Sequence, residues 1–197
     1  MKKQRKSFYK TLSILMIVTT FVIFFSCQGQ NKKENQQIME TSVSETKPPA
    51  LDIHAATFMG NLEAINQHIK AGSDLNEKDQ YGSTPLTIAA TFNKTDVALA
   101  LINAGADFNM QSADGSTPLH TASFFCRKEI VEALLDKGAD KTLRNNYGST
   151  PLETVSSSFA DVKGIYDQIS RDLGAFGFKL DYKYLEATRP VIAEMLQ

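Results

Sequence analysis

The chain has 197 residues, with 21 Lys and Arg against 22 Asp and Glu, 42% hydrophobic residues, two Cys and no Trp. That size allows one globular domain, and ordinary apolar content with mixed charge argues against a disordered or collagen-like chain. The balanced charge offers no basic excess for neutralising phosphates, so nucleic acid is not an expected partner.

Charge is unevenly placed. Met1 to Lys10 carries Lys2, Lys3, Arg5, Lys6 and Lys10 with no acid, and Thr11 to Phe25 carries no charge at all. A basic start followed by about 15 apolar residues has the form of a secretory signal, whereas a stable membrane span needs roughly 20; an uncleaved anchor is the alternative. Phe24-Phe25-Ser26-Cys27 ends the run and resembles the lipobox of bacterial lipoproteins, in which a small residue precedes the cysteine that becomes lipidated. The resemblance implies a signal peptide over residues 1–26, lipid attachment at Cys27 as the mature N-terminus, and attachment to a membrane of the bacterial envelope on its periplasmic side. It departs from the family at Phe24, where Leu is usual. Residue 28 is Gln, so the Asp that retains some lipoproteins in the inner membrane is absent and outer-membrane sorting is favoured. Removing residues 1–26 takes five basic residues and leaves 16 against 22 acidic ones, so the mature chain is distinctly acidic. That charge disfavours anionic lipid surfaces as targets and leaves the lipid as the membrane attachment.

Gln28 to Pro49 is rich in Gln, Asn, Lys, Glu, Ser and Thr and closes on Pro48-Pro49. Its few apolar residues do not build a core, so residues 27–49 are expected to be a lipidated cysteine with a flexible tether.

Beyond it the sequence repeats itself. Ser83-Thr84-Pro85-Leu86, Ser116-Thr117-Pro118-Leu119 and Ser149-Thr150-Pro151-Leu152 are spaced by 33 residues, as are Gly82, Gly115 and Gly148, and Gly72, Gly105 and Gly138. Within each unit Thr84, Thr117 or Thr150 is a fitting N-cap and the following Pro a fitting first helical residue. A second helix is expected from about Asp96 to Ile102 and from Glu129 to Asp136, each ended by a glycine able to adopt a left-handed conformation. One helix pair alone leaves its apolar face bare, so neighbouring units must stack to supply the core.

The G-S-T-P-L motif at period 33, completed as T-P-L-H by His120, resembles the ankyrin repeat. The fold expected is therefore all-α: an ankyrin-repeat solenoid of helix-turn-helix units with short β-turn tips. Four repeats are expected, at about 50–78, 79–111, 112–144 and 145–177, the first and last degenerate. Residues 178–197 would form a C-terminal capping helix, with Pro190 near a helix start because Pro inside a helix costs about 3 kcal/mol.

No Gly-rich phosphate loop, paired carboxylate motif or nucleophile elbow is present, so neither an enzyme nor a cofactor is expected. His54 and His120 stand two repeats apart, roughly 20 Å at helix-packing distances of about 8 to 10 Å, which disfavours a shared metal. His120 is expected to bond neighbouring turn backbone, and Cys126 to be a small buried thiol rather than a reactive one. The resemblance implies a protein partner, contacted through the turn tips and the exposed end of each first helix. Carried onto this chain, these are Tyr81, Asp114 and Tyr147 at the tips and Phe58, Met59, Phe92, Phe124 and Phe125 on the helices. Such a row of aromatics is expected to be a solvent-facing binding stripe. Three roles fit: a monomeric scaffold or regulator of a periplasmic protein, an immunity-type inhibitor of a toxin, or a structural spacer.

Overall fold

The computed structural model describes residues 47–197. The expected signal peptide, Cys27 and residues 27–46 of the tether lie outside the described residues.

The repeated Thr-Pro signal starts each first helix as expected. The Thr84 hydroxyl accepts from the Thr87 amide to open α3 (Pro85–Thr91), Thr117 does so for α5 (Pro118–Phe124) and Thr150 for α7 (Pro151–Ser156), with Pro at the first position every time. The first repeat lacks that motif, and Asp52 takes its place as N-cap of α1 (Ile53–Met59). Second helices follow as α2 (Leu62–Lys70), α4 (Thr95–Asn103) and α6 (Lys128–Asp136), nine residues each.

Stacking these pairs makes the core. First helices pack on first helices and second on second, and the interface residues Ile65, Leu86, Leu101, Leu119, Ile130 and Leu134 have no exposed surface. Burying such a side chain contributes roughly 2 kcal/mol, and in a solenoid that gain comes mainly from the neighbouring repeat. Among the described residues there are nine α-helices and no strand, an all-α repeat solenoid.

The tight corner between first and second helix needs a left-handed residue, held by Gly60, Asn93 and Cys126 at the same 33-residue spacing (φ 73°, 55° and 55°). Gly and Asn adopt that conformation readily, whereas Cys126 carries the cost of about 1–2 kcal/mol that left-handed backbone imposes on an ordinary side chain.

The fourth repeat breaks the pattern. Its position 159 is Phe, and the N-cap of its second helix, due at 160, stands at Asp181. Helix α9 (Tyr182–Met195) packs against α7 and α6 as a second helix should, with Leu185 and Ile192 fully buried. Residues between α7 and α9 form an insertion: α8 (Phe159–Leu173), a 3-10 turn over Gly174–Phe176, and a short return. Helix α9 therefore stands where the second helix of a fourth unit would stand.

Pro190 stands inside α9, correcting the expectation that it starts a helix. Pro190 is exposed, and it leaves the carbonyl one turn back without its usual helical donor. The neighbouring Arg189 is only 2% exposed. It donates through Nη1 to the Tyr166 hydroxyl (2.8 Å) and through Nη2 to the Ser157 (2.9 Å) and Thr154 (3.3 Å) carbonyls. One guanidinium thus ties α9 to the insertion and to the end of α7. No carboxylate pairs with it among the described residues, and its Nε is buried without a hydrogen-bond partner.

Candidate recognition surface

The turn tips are built by short polar side chains that bond their own backbone. Asp79 Oδ1 accepts from the Tyr81 and Ser83 amides (2.9 and 2.8 Å), and Asn145 Oδ1 accepts from the Tyr147 and Ser149 amides (3.1 Å each). At the equivalent position the third repeat has Ser112, too short for that reach. There Asp114 closes the turn instead, accepting from the Ser112 hydroxyl (2.7 Å), the Ser116 amide (3.0 Å) and the Ser116 hydroxyl (2.9 Å). Burial alone would raise the Asp114 pKa, but these hydrogen bonds outweigh it and hold the carboxyl below its usual value, so Asp114 is a fixed negative charge at neutral pH.

Adjacent tips are laced together. Lys78 Nζ donates to the Gln111 carbonyl (2.7 Å), Gln111 Nε2 to the Arg144 carbonyl (3.0 Å), and the Asn146 amide to the Asp114 carbonyl (2.9 Å). Gly115 sits where a side chain would lie 2.7 Å from the Asn146 nitrogen, so this approach needs a glycine twice over, for space and for its φ of 76°. The outcome is a rigid row in which Tyr81, Asp114 and Tyr147 occupy equivalent positions one repeat apart. The two tyrosines are 71% and 79% exposed and Asp114 is exposed. Ordered turns that present bare aromatic rings hold large contact areas at little further entropic cost.

Beside the row lies a cavity of about 530 Å³ between the first helices and α8. Phe124, Val162, Ile165 and Ile169 supply its apolar lining, and Asp114, Tyr147 and Glu153 its polar edge. Ile165 is 52% exposed there. Glu153 accepts from the Thr150 amide (2.7 Å) and pairs with Arg144 (2.7 Å), both of which lower its pKa.

The expectation of a solvent-facing aromatic stripe on the first helices is corrected by this arrangement, because the inserted segment lies over the row. Tyr166 of α8 stacks on Phe124 (ring centroids 4.6 Å apart) and its hydroxyl donates to the Phe124 carbonyl (2.5 Å). Phe178 meets Phe92 edge-on at 5.8 Å and Phe125 at 5.4 Å, and Phe176 reaches Phe58 at 6.4 Å. Phe125 is consequently buried, and Phe58, Phe92 and Phe124 are half-buried. Met59 alone of the helix positions remains open, at 63% exposure. Of the residues predicted for partner contact, the structure brings Asp114, Tyr147, Phe124 and Phe125 to one cavity, puts Tyr81 on the same row of tips, and sets Phe58, Met59 and Phe92 around a different depression. Sequence reasoning missed Val162, Ile165 and Ile169, whose 3–4 residue spacing was the available signal.

The histidines are accounted for by backbone contacts. His120 Nδ1 accepts from the Thr117 amide (3.2 Å) and Nε2 donates to the Ser149 carbonyl (2.9 Å), a pairing that assigns the neutral Nε2–H form. Its pKa is lowered, chiefly by burial. His54 reaches the Glu77 carbonyl (2.8 Å), and His68 the Leu51 carbonyl (2.8 Å). Among the described residues no cluster of His, Cys, Asp or Glu has the arrangement to hold a metal ion. Cys126 is 1% exposed beneath α9, and burial pushes its thiol up to about 11 against the opposing pull of Arg189 and Arg127, so it is an inert packing group. Among the described residues no helix is long and apolar enough to cross a membrane.

Comparison with known proteins agrees with this architecture. Residues 53–145 match the family model of ankyrin repeats, in three copies. Two curated proteins, Protein phosphatase 1 regulatory subunit 27 of Homo sapiens and of Mus musculus, are each 39% identical over 51 residues, 26% of this chain and 33% of the relative. The chain thus spans about a third of the length of these relatives. Residues 53–145, with three matched copies, stacked helix pairs and exposed turn tips, thus have the form of ankyrin repeats, which imply a role in protein–protein interaction.

Proposed function

We propose that this chain is a non-catalytic recognition protein, tethered to the bacterial envelope through a lipid on Cys27, that scaffolds or regulates a periplasmic protein partner. The observation that carries the recognition half is the ordered row of Tyr81, Asp114 and Tyr147, exposed beside a cavity with an apolar lining. Two bare rings flanking a fixed carboxylate suit a partner surface that offers an apolar ridge with a cation between its contacts. A regulatory rather than catalytic role is in keeping with the relatives, whose name is that of a regulatory subunit. The tethering half rests on the basic start, the apolar run and the cysteine that ends it.

The test captures the partner from solubilised membranes with the full-length chain and with a Tyr81→Ala/Tyr147→Ala variant. The variant is expected to lose capture by about tenfold or more, while its melting temperature stays within about 2 °C because neither ring is packed. Undiminished capture would move recognition elsewhere. Mass spectrometry of the mature N-terminus tests the tether separately: an acylated Cys27 is expected, and an intact Met1 would contradict it.

A further inference from the structure

A second cavity, of about 350 Å³, lies among Phe58, Met59, Phe92 and the inserted Phe176–Lys179, apart from the turn tips. Its lining includes three cations, Lys94, Arg127 and Lys179, and no carboxylate. That composition stands out because the described residues carry more acid than base. Among the described residues no ion pair engages any of the three. Arg127 donates only to the carbonyls of Ala90 (3.3 Å) and Thr91 (3.2 Å), with its guanidinium 5.6 Å from the Phe125 ring centre. Those contacts fix its position and leave its charge unneutralised. Lys94 lies over Gly60, where a side chain would meet it at 3.0 Å. The nearest carboxylates along the chain, Asp96, Glu129 and Asp181, each stand two residues from one of these cations; none lines this cavity, Glu129 and Asp181 line the adjoining depression, and Asp181 accepts from the Tyr184 amide to cap α9.

The second half of the site is apolar and bare. Met59 is 63% and Phe176 61% exposed, the latter held edge-on to Phe58. Exposed aromatic and Met surface ringed by unpaired cations is a costly arrangement for a free monomer and a useful one for a ligand that is apolar at one end and anionic at the other. The volume suits one aromatic or large aliphatic side chain with an adjacent carboxylate. A flat anionic bilayer fits less well, because the site is recessed and the rest of the chain is acidic.

We propose that this cavity binds an acidic peptide segment, seating an aromatic or aliphatic side chain between Met59 and Phe176 and pairing its neighbouring carboxylates with Lys94, Arg127 and Lys179. The site is distinct from the row of turn tips, so it would give the chain a second point of contact.

The test titrates the full-length chain with three probes, acetyl-Glu-Phe-Glu-Phe-amide, acetyl-Gln-Phe-Gln-Phe-amide and acetyl-Glu-Ser-Glu-Ser-amide, and with phosphatidylglycerol vesicles, following the ring resonances of Phe176. The first probe is expected to bind at least about tenfold more tightly than either other peptide. A Lys94→Gln/Lys179→Glu variant should lose about tenfold for that probe with an unchanged melt, and Lys179→Arg should keep it. Absence of binding by the first probe, equal binding of the Gln-Phe peptide, an unaffected double variant, or binding to vesicles in preference to the peptide would each overturn the proposal.

Discussion

Repeats two and three place their second helices directly after the first, around corners held by Asn93 and Cys126. The fourth repeat delays its second helix until Asp181 and spends the intervening residues crossing the first-helix face. The core contacts are nevertheless alike: Leu185 in α9 stands four residues after its N-cap, as do Ile65, Ala98 and Val131 in the regular units, and all four are buried. A repeat array thus tolerates a long insertion at one corner because each unit needs only its neighbour's face, whatever path the chain takes to reach it. The insertion in turn decides which part of the repeat surface stays open, covering the helix aromatics and leaving the tips.

This contrast is sharpened by comparing losses in the two regions. Leu101→Ala in the regular stack should cost about 3 kcal/mol, since a fully buried side chain leaves a cavity between two repeats; chemical denaturation reads it. Phe178→Ala in the insertion should cost a similar amount, about 3 kcal/mol, because its ring is buried against the buried Phe125 and the half-buried Phe92. It should also raise binding of an apolar dye, by baring Phe92 and Phe125. A Phe178→Ala melt equal to that of the parent would break the claim that the insertion packs on the repeats.

The smallest effect is a pH dependence where the two regions meet. Burial raises Cys126 from 9.0 to about 11 and Tyr166 from 10.0 to about 12, so the folded chain favours the neutral form of each. Their contribution is whole below pH 9 and is lost as the pH rises to about 12, because there the unfolded chain releases these protons more readily. Denaturation midpoints should therefore fall across that window. Cys126→Gly, which places the residue of position 60 at the equivalent corner, should remove the lower part of the fall; an identical profile would contradict the burial of the thiol.

The regular repeats were legible because Ser-Thr-Pro-Leu at a fixed period carries its own mechanism of cap, first turn and apolar stripe. The end of the chain was legible as helices but not as an arrangement. Phe159 at the position of Gly60, Asn93 and Cys126 signals a lost corner, and Leu185 in the register of Ile65 signals where the repeat resumes. Neither tells where the intervening residues go, since Phe176 and Phe178 read locally as loop aromatics and their ring partners are more than 50 residues away. The tip residues Tyr81, Asp114 and Tyr147 follow from the resemblance to ankyrin repeats carried along the 33-residue register. The helix aromatics were misjudged as open because periodicity shows which face a residue occupies and not what covers that face.

The central claim is that the chain's own inserted segment occupies the aromatic face of the repeats. Nuclear Overhauser spectra of the full-length chain test it most directly. The Phe178 ring protons should show cross-peaks to those of both Phe92 and Phe125, whose centroids lie 5.8 and 5.4 Å away. Assigned rings without those cross-peaks would mean that the face is open and would return it to the candidate binding surface.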